Sequence, residues 1–103
     1  MKVIIEKTAY GVTAEYDGMV STFAIAKRMD GSIGLTCDGD LALHGFSLRN
    51  QKDEIEVAIL SAMQDGQTRE IEIISDRAPM TDAEHAEFDA SRARIYAAMK
   101  DVK

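Results

Sequence analysis

A thiol becomes a nucleophile when a base lies within hydrogen-bond reach and a third group orients that base. Cys37, Asp38 and His44 are the residues of this chain whose types fit those roles. Their setting favours another reading. Cys37 alternates with Ile33 and Leu35, so it is expected on the inner face of a strand as a small core hydrophobe. His44, between Leu43 and Gly45, points to the other face if 41–46 is one strand. No catalytic residue is assigned, and the expectation is a protein that is not an enzyme.

Metal chemistry has equally little to work with. The two histidines, His44 and His85, come with no Cys-x-x-Cys, no His-Glu-x-x-His and no second histidine one helical turn from His85. Asp38-Gly39-Asp40 begins like a calcium loop but lacks the later ligands and the closing glutamate, and reads as a turn. Gly31, Gly34 and Gly39 do not form a phosphate-cradling loop that opens a helix. Carboxylates are plentiful, yet nothing in the sequence brings two of them into one cleft as acid and base. No metal and no cofactor are expected.

Charge is the more informative signal. The chain has 12 basic and 18 acidic residues, a net charge of −6. Such a balance argues against direct binding to nucleic-acid phosphates and to anionic membranes. Residues 51–103 carry −5 of it, and between Asp53 and Asp89 eleven acids face only Arg69 and Arg77. This stretch is where a protein partner with a basic surface is expected, and Asp53, Glu56, Glu84, Glu87 and Asp89 are its candidate contacts. The bland alternative is that the acids keep a small protein soluble.

The second candidate surface is on the last predicted helix, 81–103. At about 100° per residue, Phe88, Ile95, Met99 and Val102 gather on one side. Ala83, Ala86, Ala90, Ala93 and Ala97 gather on nearly the opposite side at heptad-like spacing, where small residues let two helix backbones approach closely. Three readings compete: a homodimer or partner-helix interface, a solvated face of good helix formers, or an internal slot that receives Val57 and Leu60.

These residues must be positioned by elements that the pattern announces. Asp-Gly pairs at 17–18, 30–31 and 38–39 divide the first half into short alternating runs, and Asp-Gly is a strong hairpin signal because both positions tolerate positive φ. An antiparallel meander is predicted, with strands at 2–8, 12–16, 20–28, 33–37 and 41–46 and one face wet. After Arg49 the period becomes helical, with Asn50 as the expected cap, Asp53 and Glu54 in the first turn and Gly66 as the stop. Val57 and Leu60 point away from the main stripe of Ile55, Ala58, Ile59, Ala62 and Met63, so this helix is expected to have two neighbours. A further strand is predicted at 68–75. Pro79 precedes Thr81, and Thr81 with Glu84 makes a capping box that opens the final helix. Acids fill that helix's first half, while Arg92, Arg94, Lys100 and Lys103 lie toward its end, which complements the helix dipole.

The fold expected is therefore α+β in a single domain, 1–103: an antiparallel meander of four to five strands, then helix, strand and a long C-terminal helix packed on one face of the sheet. The lone cysteine, the short apolar run at Val3 to Ile5 and the lack of any membrane-length segment predict a cytoplasmic protein without a leader or anchor. In size and charge the chain resembles the small acidic inhibitors made by bacteriophages, some of which block nucleic-acid-targeting defence complexes. That resemblance implies an inhibitor or nucleic-acid mimic acting on a basic partner, and the alternative is a homodimeric assembly subunit joined through the alanine seam.

Overall fold

A computed structural model of the chain describes residues 2–31, 33–41, 51–74 and 80–100. Strands β1 (Lys2–Thr8), β2 (Gly11–Tyr16), β3 (Met19–Lys27) and β4 (Ile33–Gly39) form the meander, followed by helix α1 (Lys52–Asp65), strand β5 (Arg69–Glu72) and helix α2 (Asp82–Lys100). The sheet is antiparallel, in the order β4-β3-β2-β1-β5, so the late strand returns to the edge beside β1. The fold is α+β, as the alternating and helical periods indicate. Of the predicted strand at 41–46 only Leu41 lies within the described residues. The rest, with His44 and the expected cap Asn50, lies outside them.

Turn chemistry sets the register of the meander. Asp17 and Gly18 both take positive φ, 50° and 79°, and close the β2–β3 hairpin with Tyr16 opposite Met19. Two such residues give a turn whose twist matches that of the strands. The Asp38-Gly39 pair behaves differently from the expected hairpin turn. Both residues remain in β4, with Gly39 opposite Ser21 at φ 137°. A Cβ on Gly39 would lie 2.3 Å from the Val20 carbonyl oxygen, so only glycine lets the chain pass β3 this closely. The Ser21 hydroxyl then accepts from the Leu41 amide at 2.8 Å and donates to the Leu41 carbonyl at 2.9 Å. One side chain thus does the work of a ladder rung and drives Leu41 into the core.

Alternation sorts the sheet into two faces. Val3 and Ile5, Val12 and Ala14, Phe23 and Ile71 are buried under α1 with Ile55, Ile59 and Ala62, and Leu41 and Ile73 close the ends of this core. Each fully buried aliphatic side chain contributes about 1.5–3 kcal/mol. The other face is open and carries Lys2, Ile4, Glu6, Thr13, Glu15, Val20, Thr22, Thr36, Asp38, Glu70 and Glu72, with Ile4 and Val20 about two-fifths exposed. Helix α1 covers β5, β1 and β2. Helix α2 packs on the same face of the sheet, with α1 as its principal neighbour, which supplies the second neighbour expected for α1.

The helix ends are tied to the sheet by side chains. Gly66 takes the left-handed conformation, φ 73°, and its amide bonds the Ala62 carbonyl. No basic residue lies in the last turn of α1, and Lys7 of β1 substitutes by donating to the Met63 carbonyl at 3.2 Å. At the other end, Gln51 occupies the cap position without capping. Its buried amide instead donates to the Glu72 carbonyl and accepts from the Ile74 amide, both at 2.9 Å, extending the edge of β5. The capping box of α2 forms as the sequence indicates: the Thr81 amide donates to Glu84 Oε1 at 3.2 Å, and the Glu84 amide donates to Thr81 Oγ1 at 3.3 Å.

Candidate functional site

The densest polar arrangement among the described residues lies where the first turn and a half of α1 meets α2. Asp53 is 4% exposed. Its Oδ1 accepts from Arg92 Nη1 at 2.9 Å, and its Oδ2 lies 2.8 Å from His85 Nδ1. Arg92 also donates to Glu56 Oε2 at 3.0 Å and bonds Asp89 one turn earlier on its own helix. One guanidinium therefore serves three carboxylates on two helices, which its planar fork of five N–H donors permits and a lysine would not.

Helical spacing explains the assembly. His85, Asp89 and Arg92 fall at i, i+4 and i+7 on α2, one stripe beside the half-buried Phe88, Ile95 and Tyr96. Asp53 and Glu56 fall at i and i+3 on α1 and face that stripe. Burial opposes the charge on Arg92, but Asp89, Glu56 and Asp53 outweigh it and hold the guanidinium's pKa above its ordinary value. The Tyr96 hydroxyl is pushed up in pKa by burial first and by the Glu56 carboxylate second.

The chemistry of this cluster is that of an oriented imidazole. An ionised Asp53 can only accept, so the proton of a neutral His85 sits on Nδ1 and the lone pair of Nε2 points away from the carboxylate. The ring's side chain is about half exposed. Carboxylate and histidine form two parts of a nucleophile-activating set, and Cys37 does not supply the third. Its thiol is exposed on β4 and faces the Leu41 carbonyl at 3.7 Å. The expectation that Cys37 is a core residue is thus corrected. It alternates onto the helix-covered face, but α1 lies over β5, β1 and β2, the core reaches β3 through Phe23, and β4 lies beyond β3 at the far end of the strand order. Among the described residues no grouping of three or more histidine, cysteine or acidic side chains is placed to hold a metal ion.

The five candidate partner contacts are separated by the fold. Asp53 and Glu56 face inward onto Arg92, so Asp53 belongs to the structure of the helix pair and not to an exposed acidic side. Glu87 and Asp89 are exposed on α2, and Glu84 is half-buried in the capping box. Glu70 and Glu72, counted in the same acidic stretch, project from the opposite face of the sheet, where β1 and β2 add Glu6 and Glu15. Acidity therefore occupies two surfaces, the outer side of α2 and the open sheet face.

The alanine face is also located. Ala83, Ala86, Ala90, Ala93 and Ala97 are all exposed. The slot reading is corrected: Leu60 is fully buried and Val57 half-buried on α1, while α2 turns the opposite side of its circumference toward α1, with Phe88, Arg92, Ile95 and Tyr96 partly buried. Arg92, taken from the sequence as a dipole-complementing surface cation, is the hub of the helix junction. The available signal was its position on the Phe88–Ile95 side of the helix, away from Arg94.

No helix among the described residues is long and apolar enough to cross a membrane. Comparison with protein families, with characterised proteins and with solved structures gives no match to this chain.

Proposed function

We propose that this protein is a non-enzymatic binding module that engages a basic surface on a protein partner, acting as an inhibitor or nucleic-acid mimic of the kind bacteriophages direct at defence complexes. The observation that supports the reading is the charge of the open sheet face. Glu6, Glu15, Asp38, Glu70 and Glu72 project from it, against Lys2 and, at its margin, Arg28. A flat surface bearing rows of carboxylates at strand spacing offers a basic groove a regular anionic field. Glu87 and Asp89 extend the charge to α2.

The test is capture from a cell lysate followed by displacement. Captured partners should be released by duplex DNA and by raising salt from about 0.1 M to about 1 M, which shortens the screening length from ~10 Å to ~3 Å. Reversal of Glu6 and Glu15 to lysine, or of Glu84, Glu87 and Asp89 together, should abolish capture on whichever surface is used. Retention through high salt and through both reversals overturns the proposal.

The second reading is an assembly subunit that pairs through the alanine seam, favoured by the exposure of all five alanines along one side of α2. Ala90→Glu converts such a dimer to a monomer. A dimer that survives the substitution removes the seam.

A further inference from the structure

We propose that Asp17 is a site of spontaneous backbone modification, isomerising through a cyclic imide with Gly18, and that the fold selects it over the other two Asp-Gly pairs. An aspartate followed by glycine is open to this reaction because no side chain on the second residue shields its amide nitrogen. The chain has such pairs at 17–18, 30–31 and 38–39, and all lie within the described residues. As dipeptides they are equivalent. In the fold each is held differently.

Two of the three are restrained. The Gly31 amide donates to the Arg28 carbonyl at 3.0 Å, and attack requires that amide to give up its proton. Asp38 and Gly39 belong to β4. The Asp40 amide donates to the Val20 carbonyl at 3.1 Å, so two positions back Thr22 and Asp38 face each other as a hydrogen-bonded pair. Closing the ring turns the aspartate about its Cα–C bond, which at Asp38 breaks that pair. Asp17-Gly18 has neither restraint. The hairpin's closing pair is Tyr16 and Met19, so the ladder does not use the Gly18 amide, and among the described residues nothing accepts from it. A Cβ on Gly18 would have no atom within 4 Å, which leaves open space for the ring. Asp17 is exposed, and at φ 50° it is the one residue other than glycine among those described in the left-handed region, where an L side chain crowds its own carbonyl.

The chemistry needs only water. The Gly18 nitrogen attacks the Asp17 carboxyl carbon and forms a new N–C bond, while the amide proton and the carboxyl hydroxyl leave together as water. Water then adds to the imide. Opening at the side-chain carbonyl restores aspartate; opening at the backbone carbonyl leaves the main chain running through the Asp17 methylene, with the former backbone carbonyl as the free carboxylate. Mass and charge are unchanged. The turn is one methylene longer and no longer the pair of positive-φ residues whose twist matches the strands, so the hairpin loosens from the Tyr16–Met19 pair inward. The next pair is Glu15 and Val20 on the open face, but the inference does not rest on the proposed function.

Peptide mapping of the folded protein, aged for weeks in mildly acidic buffer, tests it. The peptide containing 17–18 should split into two species of equal mass, the new one resistant to an aspartate-specific endoproteinase at Asp17. The pairs at 30–31 and 38–39 should isomerise at least roughly fivefold more slowly, the factor that one hydrogen bond of ordinary net strength represents. In urea the three rates should converge, because the differences come from the fold. Asp17→Glu, which keeps the charge but lengthens the ring that must close, should remove the second species. Either of the other pairs isomerising as fast as 17–18 in the folded protein overturns the proposal, as does the same ranking of rates in urea. So does a second species that persists in Asp17→Glu.

Discussion

Replacing Arg92 by methionine keeps much of its aliphatic stem and removes the one cation among the described residues that bonds both Asp53 and Glu56 across the helix junction. The Asp53 side chain is 5% exposed, so it cannot recover its lost partner from water. Breaking a buried pair from one side costs about 3–5 kcal/mol, since a charge is left uncompensated. Two features reduce the figure here: Arg92 keeps about a fifth of its side-chain surface in solvent, and Asp53 retains the contact with His85. A loss of roughly 2–3 kcal/mol remains, which for a domain of this size lowers the thermal midpoint by roughly 10–20 °C. Urea unfolding followed by circular dichroism measures it, with an unchanged m-value showing that the same surface is exposed. Asp53→Asn introduced into the Arg92→Met chain removes the stranded charge and should return 1 kcal/mol or more, roughly, as a positive coupling in a double-mutant cycle. A loss under about 0.5 kcal/mol for Arg92→Met, the range of an exposed pair, refutes the argument that this cluster fastens α2 to the fold. So does a double variant no more stable than the single one.

Two further measurements address the joints between sheet and helix and the acid limb of stability. Gln51→Leu preserves volume but strands the Glu72 carbonyl and the Ile74 amide, and should cost about 1–3 kcal/mol, with the Ile74 amide exchanging faster in native-state hydrogen exchange. Asp65 is bonded by Arg69 through both its oxygens, at 2.8 and 2.5 Å, and by the Gln67 amide at 2.9 Å. These bonds hold its pKa well below the usual carboxylate range, with the Arg69 hydrogen bond the largest cause. Because the folded value is depressed, the contribution is present above the unfolded carboxylate pKa near 4 and is lost as pH falls below it. Asp65→Asn should therefore flatten the fall in urea midpoint between about pH 4 and pH 2; an unchanged slope assigns the acid limb to other carboxylates.

The strands, the capping box at Thr81 and Glu84 and the stop at Gly66 were legible because each is decided within a few residues, by alternation, by a reciprocal side-chain bond or by a positive φ. The features that define the candidate site are of another kind. Asp53 and Arg92 are 39 residues apart, and each alone has a sufficient local explanation, an acid in a first helical turn and a base in a later one. Nothing local distinguishes a carboxylate that relaxes into solvent from one that is buried against a distant guanidinium. Gln51 and Ser21 escaped notice for the same reason: both are ordinary polar residues whose amide and hydroxyl replace ladder bonds to Glu72, Ile74 and Leu41, more than 19 positions away. Cys37 shows the converse error, since alternation gives the face of a strand but not its distance from the helix that covers the sheet. The sequence patterns thus constrain which side of an element a residue occupies. The order β4-β3-β2-β1-β5, with α1 laid over β5, β1 and β2, decides which of those sides are sealed.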